Sequence, residues 1–263
     1  MAQFFGKEFI YNNVPSGDYG VRILNFESGK SESDAGAEVN IYEDYIYRKS
    51  RSNYYGRTAN TPLEITLTIG SYDGISGTDR NAIQSWLLSA MNYQKFQIVQ
   101  EDLQDIYWNV IFTKMSNVFV GNVNQAFVLS GHCDSGFAWE SEKTLTRTYL
   151  TGVNYYFDFY NSSADADYNY PVIVFTTSSV GSFLTLGNRN DGGRLFSFAG
   201  ISALETVTID NYNQIITSST GLNRLSKFNL HWFRLIQGLN VVDIYGGITN
   251  FSMTTQLARK IGG

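Results

Sequence analysis

Two adjacent residues, His132 and Cys133, have the side-chain types of a thiolate–imidazolium nucleophile. Neighbours on a strand face opposite sides, so without a bulge this pair cannot bond, and Cys133 reads as a buried structural thiol. It is the only cysteine, and His231 is the only other histidine. That leaves no intrachain disulfide and too few ligands for a His/Cys metal site. Asp158, Asp165 and Asp167 lie in a polar, turn-prone stretch without the spacing of a calcium loop, and read as solvated carboxylates. Gly192-Gly193 reads as a turn, outside any phosphate-cradling motif, and nothing nominates a carboxylate pair for glycoside hydrolysis. Binding is the chemistry that remains. His231, Trp232 and Arg234 are types that stack on and hydrogen-bond to sugars, which makes Trp232 and Arg234, with Tyr245, candidate carbohydrate contacts. Trp232 also shares an apolar alternate face with Leu230, which favours core packing. Arg48, Lys49, Arg51 and Arg57, set against Glu43 and Asp44, form a locally basic stretch that reads as a solvated loop or a subunit contact. No cofactor and no metal are expected.

The elements that carry these residues are mostly strands. Leu63, Ile65, Leu67 and Ile69 alternate with Glu64, Thr66 and Thr68, the period-2 pattern of a strand with one solvated side. Further strands are expected at 20–26, 38–47, 96–99, 107–113 and 125–132. One amphipathic helix is expected from Thr78 to Met91, with Ile83, Trp86, Leu87, Ala90 and Met91 on its buried face and Ser76 to Asp79 supplying the turn and N-cap. A strand, this helix and a return strand make the helix a buttress on a sheet. The second half holds only short runs, at 172–176, 181–186, 194–198, 205–209, 214–217, 228–233, 240–245 and 249–255, spaced as in an antiparallel sandwich.

At 263 residues, two domains are expected: 1–145, a Tyr-rich linker at 146–170, and 171–263; within the linker, 161–167 is polar and turn-prone, while the aromatic run 153–160 reads either as linker or as a strand docked on one of the domains or on a neighbour. Hydrophobic residues make up 43% and charged ones 16%, so partners, or Asn, Ser, Thr and Tyr, cover much of the surface. A net charge of -5 opposes a nucleic-acid reader, which needs clustered cations to neutralise phosphates. The N-terminal residues lack the pattern of a signal peptide, and no apolar run reaches the roughly 18 residues of a membrane span. No membrane insertion is expected.

The order of these elements resembles the distal tail protein family of long-tailed, non-contractile phages. The likeness rests on Phe9-Ile10-Tyr11-Asn12, on Gly20-Val21-Arg22-Ile23, and on a basic Tyr-Gly loop before Pro62-Leu63-Glu64-Ile65-Thr66-Leu67. It continues through the Ile83-Gln84-Ser85-Trp86-Leu87 helix and an acidic turn, Glu101-Asp102, before Tyr107-Trp108-Asn109-Val110. In the second half it rests on Pro171-Val172-Ile173, Val207-Thr208-Ile209-Asp210 and Phe233 to Val242, and on the ending Ile261-Gly262-Gly263. Two departures stand out: Tyr55-Gly56-Arg57 replaces a Gly-Arg-Asp-Gly loop, and Gln237 stands where the family often has Pro.

The resemblance implies a mostly β fold with one α-helix: an N-terminal β-sandwich or split-barrel-like domain with the helix, and a C-terminal galectin-like antiparallel sandwich. It implies a structural virion protein, not an enzyme: a homo-hexameric ring joining the tail tube to the tail-tip and host-adsorption apparatus, with a central channel for DNA in transit. The implied partners are its own copies, the tail-tube protein, the tail-tip hub protein and receptor-binding or baseplate proteins. The implied location is the virion tail tip, after synthesis in the host cytoplasm. Arg48, Lys49, Arg51 and Arg57 would then line the channel or a subunit interface. Two rival readings are a carbohydrate-binding adhesion module that touches the host surface and a tail-tube protein with a decorating β domain. Galectins bind sugar through a His-x-Asn-x-Arg pattern that His231-Trp232-Phe233 breaks.

Overall fold

The computed structural model describes residues 6–24, 41–57, 61–148, 155–180 and 182–261. The chain divides into two compact units, Met1–Glu140 with Arg259–Gly263, and Ser141–Ala258. The fold is mostly β with a single α-helix among the described residues.

The first unit runs β1 (Phe9–Tyr11), β2 (Val14–Pro15), β3 (Arg22–Ile23), β4 (Ile41–Asp44), β5 (Asn53–Arg57), β6 (Glu64–Gly70), α1 (Gly77–Leu88), β7 (Gln94–Ile98), β8 (Ile106–Val120), β9 (Val123–Cys133) and β10 (Ala138–Glu140). An antiparallel sheet follows the order β2-β1-β7-β8-β9-β6-β3, while β4 and β5, among the described residues, pair only with each other. Leu63, just before β6, and Ile65 and Ile69 within it are buried while Glu64 and Thr66 are exposed, as alternation demands. On that inner side Ile65, Ile69, Phe96, Trp108, Phe112, Phe127 and Leu129 form a core against which Ile83 and Leu87 of α1 pack.

The helix starts where its chemistry dictates. Ser76 Oγ accepts the Asp79 N–H at 3.2 Å and donates to the Asp79 carboxylate at 2.6 Å, and Asp79 adds negative charge to the first turn. It ends at Leu88, three residues earlier than the periodicity predicts, so Met91 lies beyond the helix and is 94% exposed. Trp86 is the docking residue. Its ring stacks on Tyr19 at 4.5 Å and on Phe9 at 5.6 Å, and its indole N–H donates to the Tyr11 carbonyl at 3.3 Å.

The second unit runs β11 (Lys143–Thr148), β12 (Tyr155–Asn161), β13 (Val172–Thr177), β14 (Ser182–Asn188), β15 (Leu195–Ile201), β16 (Thr206–Asp210), β17 (Ile215–Ser218), β18 (Gly238–Gly246) and β19 (Ile248–Thr255); β20 (Ala258–Arg259) follows where the chain returns to the first unit. Its strands form two antiparallel sheets, β11-β19-β13-β16-β17 and β12-β18-β14-β15, with Phe175, Phe196, Phe198, Phe251, Ile173 and Leu186 between them. Within the expected linker, 146–170, lie the end of β11 and all of β12, which pairs with β18 over seven residues from Tyr155↔Ile244 to Asn161↔Gly238. The reason is packing, since Phe157 of the aromatic run is buried in the sandwich core.

The expected strand at 228–233 is also corrected. Among the described residues this segment joins no ladder beyond a bridge from Phe228 to Phe198, and Leu230 adopts a φ of +62°. Asparagine side chains satisfy its backbone instead: Phe233 N–H donates to Asn211 Oδ1 at 2.8 Å, and His231 N–H to Asn229 Oδ1 at 3.2 Å. The following Leu235 to Asn240 segment is tied the same way. Buried Asn240 accepts the Ile236 N–H at 2.9 Å, donates back to the Ile236 carbonyl at 2.9 Å, and is met by Asn188 at 2.7 Å. Gly238, at φ +87°, makes the turn between them. Of the expected strand at 38–47, residues 41–44 form β4, 45–47 belong to the turn that follows, and 38–40 lie outside the described residues.

Candidate functional site

β4 and β5 form an arm whose features come straight from its composition. Register runs from Ile41↔Arg57 to Asp44↔Asn53, with a bulge after Tyr42. Glu43 organises the turn, accepting from Ser52 Oγ at 2.6 Å and Tyr45 Oη at 3.3 Å, and the Lys49 N–H closes onto the Ile46 carbonyl at 3.0 Å. Every residue from Ile41 to Arg51 is exposed, Tyr47 at 87% and Tyr45 at 75%. Seven large apolar or aromatic side chains, Ile41, Tyr42, Tyr45, Ile46, Tyr47, Tyr54 and Tyr55, therefore meet solvent here. Arg48, Lys49 and Arg51 cluster among them, Arg48 with its guanidinium 5.3 Å from the Tyr47 ring centre. Arg57 sits at the base, paired with Ile41. A two-stranded ribbon with no buried residue from Ile41 to Gly56 is marginal by itself. Its tyrosines and arginines are among the types enriched at protein interfaces.

The nucleophile reading of His132 and Cys133 ends in the geometry. Cys133 is fully buried, and burial, with the nearby charges of Asp134 and Glu64, pushes its thiol up to about 12. His132 points the other way, its Nδ1 2.6 Å from Glu64 Oε1, the residue directly across the ladder. Asp158 is exposed on β12, whereas the Asp165 carboxylate accepts the Asp167 N–H at 3.1 Å in a local turn. Among the described residues no three His, Cys, Asp or Glu stand close enough to hold a metal ion. Nor is any helix among them long and apolar enough to cross a membrane.

The candidate sugar contacts separate. Trp232 is partly buried, packing edge-on against Phe228 at 4.8 Å. Arg234 is committed: it bonds both oxygens of Asp191, at 2.8 and 3.0 Å, and its guanidinium lies 3.6 Å from the Tyr168 ring centre. The two line a cleft with room for no more than about one water molecule, far short of a ligand site. Tyr245 stands elsewhere, on the outward side of the four-stranded sheet. There it keeps the company of Tyr156, Arg189 and Asp243, which composition alone does not single out. A period-2 reading of Tyr156-Phe157-Asp158-Phe159-Tyr160 carries the signal for Tyr156, since Tyr156, Asp158 and Tyr160 are exposed and Phe157 is buried.

Two family models match the chain: a phage tail protein N-terminal domain over residues 4–135 and a phage tail C-terminal domain over residues 137–254. Among solved structures, the chain is similar to the crystal structure of phage SPP1 Dit, described as a paradigm of the hub adsorption apparatus in phages infecting Gram-positive hosts. That likeness has a TM-score of 0.69 at 12% identity and covers 95% of this chain and 99% of that one. A chain of the phage p2 baseplate in its activated, strontium-bound form matches with a TM-score of 0.55 at 9% identity, covering 97% and 99%. At such identities these likenesses establish a shared fold. No curated protein sequence matches the chain.

Proposed function

Because the chain belongs to the phage tail protein family, as a structural component of the virion tail with the hub fold, we propose that it is the distal tail protein: a ring of six copies that joins the tail tube to the tail-tip and adsorption proteins and leaves a channel for DNA. It is synthesised in the host cytoplasm and acts by assembly. The exposed arm carries this reading. A ring needs a heterologous contact, in which one surface of each copy meets a different surface of the next. Residues 41–57 hold four cations and two carboxylates, a net +2 in a chain of net -5, so the remainder of each copy is -7. A basic, tyrosine-rich arm is complementary to the acidic remainder of a neighbour, which sets orientation and speeds encounter. Arg48, Lys49, Arg51 and Arg57 are accordingly assigned to the subunit interface or to the rim of the channel.

Light scattering on the purified protein, followed by negative-stain imaging, tests this. Six-fold rings are expected, with the protein alone or once the tail-tube protein is added. Replacing Tyr47 and Tyr55 with Ala and Arg48 and Arg51 with Glu is expected to yield a folded monomer. A strict monomer in both conditions, or rings indifferent to those substitutions, overturns the reading.

A further inference from the structure

The outward side of the four-stranded sheet carries a cluster that the arm does not use. Tyr156 lies directly across from Asp243, and Asp243 across from Gly187. Tyr245, two residues further along β18, points to the same side and stands across from Thr185. Arg189 follows the end of β14 and reaches over this rung. Its Nε donates to Asp243 Oδ2 at 2.7 Å and its Nη2 to Oδ1 at 2.6 Å, and the guanidinium lies 5.5 Å from the Tyr156 ring centre. The backbone fixes it there. Arg189 N–H donates to the Val241 carbonyl at 2.9 Å, and Val241 N–H to Asn190 Oδ1 at 3.0 Å. Tyr156 is 67% exposed and the Arg189 side chain 57%, whereas Asp243 is only 15% exposed. Tyr156 across from Asp243 and Tyr245 two residues beyond it share this side of the sheet with the ion pair, so the four side chains line one patch.

This chemistry selects its ligand. The forked pair already balances its own charge, and exposed Asp158 lies on the same side of β12, so this group holds no surplus cation for a phosphate or another anion. What it keeps are in-plane N–H donors and carboxylate lone pairs at fixed positions. Tyrosine rings beside them supply apolar faces with polar tips. The complementary ligand is neutral, with hydroxyl pairs along its edges and C–H groups on its faces. We propose that Tyr156, Arg189, Asp243 and Tyr245 form a binding face for a neutral saccharide chain. The proposal stands independently of ring formation.

The test is titration calorimetry on the full chain with maltohexaose, mannohexaose, galactohexaose and chitohexaose. Saturable binding to at least one is expected. Tyr156→Ala and Tyr245→Ala should each weaken it about tenfold, as loss of an aromatic face predicts. Arg189→Ala should weaken it at least as much, while Tyr156→Phe, which keeps the ring, should stay close to wild type. Tyr212→Ala, at an exposed tyrosine on the hairpin turn of the other sheet, should change nothing. All substituted positions but Arg189 are exposed tyrosines, so unchanged melting certifies the fold. Saccharide binding indifferent to the Tyr156 and Tyr245 substitutions, no binding to any of the four hexasaccharides, or binding to inorganic polyphosphate in their place overturns the proposal.

Discussion

Glu205 and Arg224 are the most demanding residues of the second unit. The Glu205 side chain is fully buried and that of Arg224 is 9% exposed. Such a pair persists only where every remaining polar atom is met. Here Arg224 Nε donates to Glu205 Oε1 at 2.7 Å, Ser218 Oγ to Oε1 at 2.6 Å and Ser202 N–H to Oε2 at 3.1 Å, while Arg224 Nη2 also reaches Ser202 Oγ at 3.0 Å. The Arg224 bonds hold the Glu205 carboxyl down to about 2, against an ordinary 4.5. A depressed folded value means the contribution is complete above the ordinary value and fades as pH falls toward 2. By linkage it amounts to about 3 kcal/mol. Acid titration followed by near-UV circular dichroism should show the second unit losing stability between about pH 4.5 and 2. At neutral pH, Glu205→Gln strands the guanidinium and should cost about 3–5 kcal/mol in denaturant unfolding. A loss below 1 kcal/mol would show that water already reaches the pair.

At the scale of elements, α1 is held by one side chain more than by its length. Twelve residues make a helix that is marginal alone, so docking determines its stability. Trp86→Ala removes two ring stacks and a hydrogen bond, and should lower the stability of the first unit by about 3 kcal/mol with little loss of strand signal. An effect under 1 kcal/mol would mean that Ile83 and Leu87 suffice. The sequence makes this helix legible because a Ser76 cap, an Asp79 in the first turn and the Ile83–Leu87 spacing agree. The strand at 63–69 is equally legible, since its alternation matches its burial. What misleads is composition without a ladder. Phe228 to Phe233 is as apolar as a strand, but Asn211 and Asn229 take its backbone bonds, and no local pattern announces a partner 22 residues away. The aromatic run at 153–160 is legible as a strand but not as to its partner, because Phe157 packs inward while Tyr156 and Tyr160 stay exposed, and no local pattern names β18. The basic stretch was plain in sequence as charge. Its pairing into an exposed arm was not, since Glu43–Ser52 and Ile41–Arg57 are settled by fold and register.

For the whole molecule, the second unit is an insertion: the chain leaves the first unit after Glu140 and re-enters it at Arg259. Ser141–Ala258 carries its own two-sheet core, so excised as a fragment it should fold and unfold cooperatively with the sandwich's near-UV signature. A fragment that lacks fixed tertiary signal would show that its core depends on residues outside those limits. One property of the intact chain bears on every such experiment. Its single sulfhydryl is sealed in the first unit's core, with too little thiolate at neutral pH to react with maleimides. The native protein is therefore already a silent background for site-directed labelling. A cysteine introduced at Tyr47 or Tyr160 would be the sole reactive handle, so fluorophore pairs or spin probes can report on arm docking and on the tyrosine face without first rebuilding the core.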